Sequence, residues 1–351
     1  MTVKIVDPST DPRWDDLVSV HKYGSIYHQS AWKEVIETTY GYTPLYFVHE
    51  GDEGKLKGGL PFFLIKSRIT GTRLVSLPFS DFGGPLAGTQ EDLNMLVSAA
   101  VAAKEQLRAS YVEIRTCRNP AIFSEYRMKE HTQYCNHVLA LDDDAQALRK
   151  SFHKSCIQRS IKKAESSKIC IKIGRTEKDM RTFYDLHTLT RRKHGLPVQP
   201  YAFFYNMWTL MYPKNLICLL LAEEGKRAIA GVVLFRFKDT MYFEYGGSDG
   251  RYLENRPNHL LLWRAIEMAC NEGLKYFDFG RTSVDNGGLM AFKSRWGAEE
   301  HPLHYFFLPD VRGMSATKRT GLMYIIFTKI GQRMPSSILR LGGRVFYKHL
   351  G

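Results

Sequence analysis

Short apolar runs separated by glycine-containing polar turns recur along the chain and predict β-hairpins. One predicted hairpin joins Leu45–Val48 to Leu56–Ile65, and a second joins Leu219–Ala222 to Ile229–Phe235. In both, a Glu-Gly pair and further charged residues form the turn between the two runs.

Each predicted hairpin is followed by a helix-length pattern and then by a short apolar strand. Leu93–Leu107 precedes Tyr111–Thr116, and Leu260–Asn271 precedes Tyr276–Phe279. Corresponding glycines in the two hairpins lie 173 residues apart, and the tyrosines that begin the two strands lie 165 apart. Two matches in the same order indicate a tandem duplication. They predict an α/β (α+β) protein with helices packed on a mixed, mostly antiparallel twisted sheet in each half.

Three aspartates at 142–144 mark the predicted junction between the halves. We therefore expect a first domain at residues 1–145, a second at 146–310 and a tail at 311–351. The tail mixes bulky apolar residues, such as those at 321–327, with spaced cations. This pattern fits a basic amphipathic helix on a membrane surface, and it also fits a helix docked on the protein body.

The chain of 351 residues is long enough for two domains of ordinary size. No uncharged apolar run approaches the ~20 residues that a membrane-spanning helix needs. The acidic, proline-bearing N-terminus does not resemble a secretory signal, so we expect a cytoplasmic protein. The six cysteines are scattered without the two-residue spacing of a zinc or redox site. They are expected to be reduced and mostly buried, with no metal site.

The net charge of +13 is concentrated in two regions. Residues 149–193 carry 14 Lys/Arg against 4 Asp/Glu, and residues 311–351 carry 8 Lys/Arg and no acid. Such regions favour contact with a polyanion, namely RNA, a phosphorylated ligand or an anionic membrane, although solvated charges that only confer solubility explain them as well.

Two helices are predicted in the first basic region. They are Leu148–Ser166 and Asp179–His194, the second of which is expected to stop at Gly195. Cations in the last turn of a helix are favourable because of the helix dipole, which is a structural alternative to ligand binding. The basic residues taken as candidate substrate-binding residues are Arg159, Lys163, Arg192 and His194.

The segment Lys275–Gly297 carries the strongest chemical signal. A short strand leads into Gly280–Thr282, a flexible turn follows, and a helical turn then carries Lys293. Two cations, Arg281 and Lys293, beside aromatic rings can hold an anionic ligand or stabilise a developing oxyanion. The structural alternative is a core strand followed by an amphipathic helix with solvated charges.

Residue types also limit the mechanism. The chain has no nucleophile elbow and no glycine-rich phosphate loop, so direct transfer between two bound substrates fits better than covalent catalysis. In such a reaction an amine attacks an activated ester or thioester, and Lys293 or Arg281 stabilises the oxyanion. For Asp278 we favour a salt bridge with Arg281 or Lys275 over a role as a base.

Two further positions are candidates for a binding cleft. Tyr242 and Tyr245 precede a Gly-Gly pair at the end of a predicted strand, although most aromatic residues of this half are expected in the core. Asn258 follows Pro257 at the start of a predicted helix, whose free N–H groups can contact a phosphate, although capping is the simpler explanation.

Four short motifs together resemble the Fem-type (FemAB-like) aminoacyl and peptidyl transferases, which consist of two acetyltransferase-like (GNAT) domains. The motifs are Tyr245-Gly246-Gly247-Ser248, Pro257–Trp263, Phe277–Arg281 and Phe292–Gly297. A weaker likeness in the first half extends over Ser76–Pro85 and includes Asp81. The sequence lacks the inserted coiled-coil arm of many tRNA-binding members, and its basic tail is similar to a divergent branch associated with envelope polysaccharide and exosortase gene clusters.

The resemblance implies two tandem GNAT-like domains and an acyltransferase that uses no tightly bound cofactor. The donor would be an aminoacyl-tRNA or another acyl donor such as acyl-CoA or an acyl carrier protein. The acceptor would be an amino group on a lipid-linked or nucleotide-linked envelope precursor, at the inner face of the membrane. In the family a Phe-Lys pair lies near the aminoacyl ester, and Phe292-Lys293 matches it. The resemblance thus implies that Lys293 is catalytic, and the residue types add Arg281 and Asp278 as candidate catalytic residues. The expected substrate-binding residues are Phe292, Trp296, Tyr242, Tyr245, Asn258, Asp81, Arg159, Lys163, Arg192 and His194.

Two alternatives remain open. An acyl-CoA or acyl-carrier-protein donor ranks second, because the Arg/Gln-x-x-Gly-x-Gly/Ala segment that cradles the CoA pyrophosphate is not evident. A non-catalytic RNA- or membrane-binding protein would use the two basic regions and bind in a strongly salt-dependent way.

Overall fold

The computed structural model describes residues 3–51, 54–118, 121–311, 331–349 and 351. These residues form two compact units. Unit 1 consists of the described residues of Met1–Tyr134, Pro302–Thr317 and Val345–Gly351, and unit 2 of those in Cys135–His301 and Lys318–Arg344. Unit 1 therefore consists of three separate segments of the chain, and unit 2 of two. The predicted domain limits stay a prediction.

Unit 1 contains four α-helices and six strands among the described residues, together with parts of two further strands. Strands are numbered along the whole chain. Its helices are α1 Arg13–Val20, α2 Ser30–Tyr40, α3 Gln90–Gln106 and α4 Ile122–Glu125 among the described residues. Its strands are β1 Val3–Val6, β2 Thr43–Glu50, β3 Leu56–Ser67, β4 Gly71–Val75, β5 Leu86–Ala87 and β6 Tyr111–Thr116, with the start of β7 Lys129–Ala140 and most of β13 Glu299–Leu308.

The sheet of unit 1 has the strand order β1-β2-β3-β4-β6-β13, and β5 pairs with β3. Only β4 and β6 among the described pairs of this unit are parallel, because α3 connects them as a crossover. Leu96 and Val97 of α3 are buried against the sheet in one core with Phe62 and Val112.

The elements of unit 2 follow the same scheme. Its helices are α5 Ala145–Ser151, α6 Arg159–Glu165, α7 Glu177–Lys193, α8 Tyr201–Met211, α9 Pro257–Asn271 and α10 Gly287–Ser294, with most of α11 Ser336–Tyr347. Its strands are β8 Ile169–Gly174, β9 Ile217–Glu224, β10 Arg227–Phe237, β11 Thr240–Ser248 and β12 Tyr276–Ser283, with the end of β7 and the start of β13.

The sheet of unit 2 has the order β12-β11-β10-β9-β8, with β7 beside β12. Strands β11 and β12 are parallel, with Tyr242 opposite Asp278, and α9 is their crossover. Trp263 and Ile266 of α9 are completely buried in one core with Val232 and Phe277. Each unit thus contains a hairpin (β2–β3 or β9–β10) and a helix leading to a parallel strand, which confirms the predicted repeat and the mixed α/β class.

Local sequence explains where the helices begin. Thr89 and Asp92 form a capping box at the start of α3, and Thr176 and Asp179 form the equivalent box at α7. Reciprocal hydrogen bonds of this kind satisfy N–H groups that a helix start leaves without partners.

The basic segment 148–166, predicted as one helix, is broken in the structure. Helix α5 ends at Ser151, a π-helical turn covers Lys154–Gln158, and α6 follows. The break arises because Phe152 adopts an extended conformation and packs against Trp263 and Trp296 in the core.

Three other expectations have mixed outcomes. The cysteines are all free, but the expectation that most are buried is wrong, since only Cys135 and Cys270 are buried and Cys117 and Cys170 are exposed. No helix among the described residues is long and apolar enough to cross a bilayer. The part of the predicted tail at 312–330 lies outside the described residues.

Candidate active site around Lys293

The segment that the sequence singled out folds into strand β12 and helix α10 of unit 2. The strand extends to Ser283, so Gly280–Thr282 lie within it and not in the loop that follows. Helix α10 begins where the side-chain oxygen of Asn286 accepts a hydrogen bond from the Leu289 N–H at 3.3 Å. Lys293 lies in its last turn, where a cation is favoured by the helix dipole.

The ammonium of Lys293 is buried and held by backbone carbonyls. Lys293 is only 5% exposed, so its side chain does not point into bulk water. Nζ donates to the carbonyl of Gly280 at 2.5 Å and to that of Arg281 at 3.4 Å. A buried charge needs such partners because its desolvation is costly.

Gly280 shapes this contact through its backbone conformation. Its φ is +74°, in the left-handed region that side-chain-bearing residues avoid. Its N–H donates to Oδ1 of Asp278 at 2.7 Å while its carbonyl accepts from Lys293. Oδ2 of Asp278 also accepts from Nδ2 of Asn136 at 2.7 Å. Asp278 is 4% exposed, and its carboxylate therefore fixes the part of β12 around Gly280 whose carbonyl holds Lys293.

Two titratable residues of β7 lie in the electrostatic field of Lys293. Burial lowers the pKa of His137, and the Lys293 ammonium lowers it further. Burial raises the pKa of the Cys135 thiol to about 11, Glu300 adds to the rise, and Lys293 opposes it. Both groups are therefore neutral near pH 7 in the absence of a ligand.

Phe292 lies in a cluster of aromatic rings. Its ring contacts those of His259 at 5.6 Å and Trp296 at 6.2 Å between centroids. Phe292 is partly exposed, whereas Trp296 is completely buried and packs on Phe279. Burial, with a smaller effect of Arg256, lowers the pKa of His259 to about 4, which keeps that imidazole neutral.

The predicted cleft tyrosines differ in accessibility. Tyr242 is 8% exposed within the parallel strand pair, and Tyr245 is partly exposed with its ring 5.9 Å from that of His187. Gly247 allows α7 to approach this strand closely, because a Cβ there would lie 2.5 Å from the backbone N of His187. The Gly-Gly pair therefore has a packing role.

Asn258 lies in the first turn of α9 and is exposed. Its Nδ2 is 3.5 Å from Oγ of Ser248. Arg256, the residue before the helix, has a φ of +58° and makes no side-chain cap. The structure thus places Asn258 in unit 2 on an accessible helix start, as the sequence predicted.

The remaining predicted residues occupy separate elements. Arg159 and Lys163 are exposed on α6, and Lys163 makes a long ion pair with Glu254 at 3.9 Å. Nη1 of Arg192 donates to Oγ of Ser336 at 3.3 Å, and His194, the exposed residue after α7, caps its C-terminal end. Arg281 is partly buried in β12. Asp81, in unit 1, uses its backbone carbonyl to accept from the Tyr305 hydroxyl at 2.9 Å.

A cavity of about 720 Å³ lies elsewhere in unit 2. It is bordered by α9 and the edge strand β8, with Ile171, Leu220 and Met268 among its lining residues. The predicted site residues are not among its described lining residues, so it does not form part of the Lys293 site.

Comparison with known proteins places the fold. Residues 151–294, which include Lys293, match the family model described as Acetyltransferase (GNAT) domain. The structure is similar to the crystal structure of FemX, with a TM-score of 0.72 and 16% sequence identity over 87% of this chain and 97% of that one. The chain has a Fem-like tandem GNAT fold.

Other solved structures share the Fem-like fold at lower similarity. A tandem GNAT protein from the clavulanic acid biosynthesis pathway has a TM-score of 0.57 and 9% identity, with 87% of this chain and 97% of that one covered. The C-terminal domain of a putative lysylphosphatidylglycerol synthetase from Agrobacterium fabrum has a TM-score of 0.57 and 9% identity, with 85% and 91% covered. No curated protein matches in sequence.

These comparisons confirm the expected Fem-like tandem GNAT fold. Together with the domain match, they support an enzyme of the acyltransferase class, of the GNAT type. The predicted roles of individual residues stay predictions.

Sequence reasoning missed one group of residues. Cys135 and His137 on β7 lie near Glu300 at the start of β13, with their ligand atoms all within 4.8 Å of one another. The signal available in the sequence was the alternation Cys-x-His, which places both side chains on one face of a strand.

Proposed function

We propose that the protein transfers an aminoacyl or acyl group to an amino group of a cell-envelope precursor by direct attack, with Lys293 stabilising the oxyanion. One observation carries this proposal. The ammonium of Lys293 is buried at the end of α10 and held on the carbonyls of β12, in a Phe-Lys pair within a GNAT-type domain.

An ammonium held in a fixed position stabilises an oxyanion better than a mobile ammonium does. An electrostatic group contributes most when it is fixed before charge develops and when water is excluded around it. The hydrogen bonds to Gly280 and Arg281 fix Nζ, and burial lowers the local dielectric. Asp278 fixes Gly280 in turn, so we assign Asp278 a positioning role.

The proposed reaction needs no covalent enzyme intermediate. The acceptor nitrogen attacks the carbonyl carbon of the donor and forms a C–N bond, while the carbonyl oxygen gains negative charge near Lys293. Collapse of this intermediate breaks the C–O bond of an ester donor or the C–S bond of a thioester donor. The proton lost by the amine passes to the leaving oxygen or sulfur, which departs as an alcohol or a thiol.

The donor is an aminoacyl ester or an acyl thioester. The Fem-like fold supports an aminoacyl-tRNA, and the GNAT domain match supports an acyl thioester such as acyl-CoA. Phe292 is next to Lys293 in the chain and partly exposed, so it offers aromatic surface against which an acyl chain or nucleoside can pack.

An amine-bearing lipid-linked precursor would bring the protein to a membrane, and α11 supplies a suitable surface. Ile338 and Leu341 are 52% and 67% exposed one turn apart, while Leu339 is buried on the inner side. Val345 and Phe346 of the same helix are also exposed. Apolar side chains directed outward from a helix that carries cations fit the interface of an anionic bilayer.

A donor screen tests the proposed reaction. Purified protein is incubated with mixed aminoacyl-tRNAs or with acyl-CoAs, together with lipid-linked and nucleotide-linked precursors that carry a free amine, and amide products are identified by mass spectrometry. We expect an amide product with one donor class and its loss in Lys293→Met. Absence of product with every donor, or full product formation by Lys293→Met, would overturn the proposal.

A further inference from the structure

Three side chains of types that commonly bind metal ions lie together in unit 2 beside the Lys293 site. Cys135 and His137 come from β7, and Glu300 comes from β13. One ligand atom from each of the three lies within 4.8 Å of the other two. The three atoms thus converge on one point, although Glu300 is separated from the other two by more than 160 residues of sequence.

The burial of His137 sets this group apart from a chance surface cluster. His137 has no exposed surface, and neither of its ring nitrogens has a hydrogen-bond partner among the described residues. A buried polar group without a partner costs about 1–3 kcal/mol. By contrast, Nε2 of His187 in the same unit is 3.0 Å from Oε1 of Gln199. A ligand at His137 would remove this penalty.

We propose that Cys135, His137 and Glu300 form a binding site for a divalent zinc-like cation. A thiolate, an imidazole nitrogen and a carboxylate oxygen are the three ligand types that Zn²⁺ uses in proteins, and three protein ligands leave a fourth position for water or substrate. Ligand atoms around tetrahedral Zn²⁺ lie about 3.5 Å apart, so the separations, none of which exceeds 4.8 Å, need to contract by about an ångström at most. Glu300 is exposed and can make this movement.

Charge also favours a cation at this point. The Cys135 thiol would lose its proton to solvent on binding, and the resulting thiolate and the Glu300 carboxylate would together neutralise a divalent ion. The site therefore contains the charges that it needs for a neutral complex.

The position on β7 connects the metal to the Lys293 site. Asn136, between the two ligands of this strand, donates its side-chain N–H to Asp278 at 2.7 Å. A metal that fixes Cys135 and His137 would fix the strand segment that holds Asp278. The metal would therefore stabilise that segment, with water in its fourth position.

Cobalt binding by the full-length protein tests the site directly. The chain is treated with chelator, dialysed and titrated with Co²⁺, and the near-ultraviolet thiolate-to-cobalt charge-transfer band is recorded. Zn²⁺ is then added to displace the cobalt, and bound metal is measured by mass spectrometry. We expect about one equivalent of metal per chain and a charge-transfer band that zinc removes.

Variants separate this site from the other cysteines. Cys135→Ser and His137→Ala are expected to abolish the band, and Cys270→Ser, at the other buried cysteine, is expected to retain it. Glu300→Gln changes an exposed residue and keeps the fold, so it decides the case if the buried variants misfold. We expect it to weaken cobalt binding by at least about tenfold. No band in the parent protein, an unchanged band in Cys135→Ser or unchanged affinity in Glu300→Gln would overturn the assignment, and none of these readouts depends on transferase activity.

Discussion

Asp278 and Lys293 are connected through the backbone of one glycine. The N–H of Gly280 donates to Asp278 at 2.7 Å, and its carbonyl accepts from the Lys293 ammonium at 2.5 Å. Both side chains are buried, and the φ of Gly280, +74°, directs its two polar groups to these partners. The position of the cation therefore depends on a backbone conformation that only glycine adopts readily.

Replacement of Lys293 by Met tests the cation itself. Met fills similar volume but removes the charge, so we expect turnover to fall by about 10²–10³-fold, as for the loss of one oxyanion donor. The freed carbonyl of Gly280 is expected to destabilise the fold by about 1–3 kcal/mol. Turnover is measured with the donor found in the screen, and unfolding is followed by urea titration.

The control is Lys275→Met, which removes an exposed lysine next to the same strand. It should leave both turnover and the free energy of unfolding unchanged. Normal turnover in Lys293→Met would exclude Lys293 from the reaction.

Replacement of Asp278 by Asn tests the positioning role. Asn keeps one acceptor for the Gly280 N–H but removes the negative charge, so we expect a smaller loss of turnover than in Lys293→Met. Gly280→Ala keeps every side chain of the site but strains the backbone by about 1–2 kcal/mol and moves the carbonyl. We expect it to lower turnover more than Asp278→Asn. The kcat and KM values of both variants provide the measurement. A Gly280→Ala enzyme with parental kcat would show that the geometry of the Lys293 contact does not matter.

The sequence predicted the elements well and the three-dimensional neighbours less well. The hairpins β2–β3 and β9–β10 were predictable because apolar runs flank glycine turns, and strand β6 was predicted with its observed limits, Tyr111–Thr116. The break at Phe152 was not predictable, because it arises from packing against tryptophans that are distant in sequence. Helix propensity and basic composition contain no signal of it.

The same distinction applies to the candidate site. Phe292-Lys293 was found through a motif, and Lys293 is buried as its proposed role requires. Trp296 was selected as part of the Phe292–Gly297 motif, and Tyr242 for its place before a Gly-Gly pair at a strand end. Neither signal distinguishes a ring that lines a cleft from one that packs in a core, and both rings are buried. The proximity of Glu300 to Cys135 depends on strand order, which residue spacing does not reveal.

Gly247→Ala tests the packing role of the Gly-Gly pair. An added Cβ would lie 2.5 Å from the backbone N of His187, and backbone cannot move aside as a side-chain end can. We expect a loss of about 1–3 kcal/mol in the free energy of unfolding, the usual effect of overpacking. Gly250→Ala is the control, because nothing lies within 4 Å of its added Cβ. Equal stability of the two variants would mean that α7 does not pack closely on β11.

His187 gives the protein an acid-sensitive core. Burial, aided by Arg191, lowers the pKa of its imidazole to about 4, against 6.5 for the unperturbed group. The unfolded chain therefore binds a proton that the folded chain excludes, and stability should decrease as the pH falls from 6.5 towards 4. The contribution of this residue is about 3 kcal/mol at full shift. Urea titrations between about pH 7 and about pH 4 measure it. His187→Asn should flatten the profile, whereas His194→Gln, at an exposed position near the end of the same helix, should not. An unchanged slope in His187→Asn would assign the acid sensitivity to other groups.

Leu341→Glu tests whether α11 binds membranes. The side chain is 67% exposed, so the substitution removes apolar surface and adds a negative charge without disturbing the buried side of the helix. Insertion of a Leu side chain into the bilayer interface contributes up to about 2 kcal/mol, and repulsion from anionic lipid adds about 1 kcal/mol for the new charge. Binding to vesicles rich in phosphatidylglycerol should therefore weaken by roughly two orders of magnitude.

Co-sedimentation with vesicles measures the change. Ile69→Glu serves as the control, because Ile69 is a 73% exposed apolar residue in the turn between β3 and β4 of unit 1. Vesicle binding that both substitutions leave unchanged, or that both weaken equally, would mean that α11 is not the membrane-binding surface. Binding lost only in Leu341→Glu would identify α11 as the membrane-binding surface.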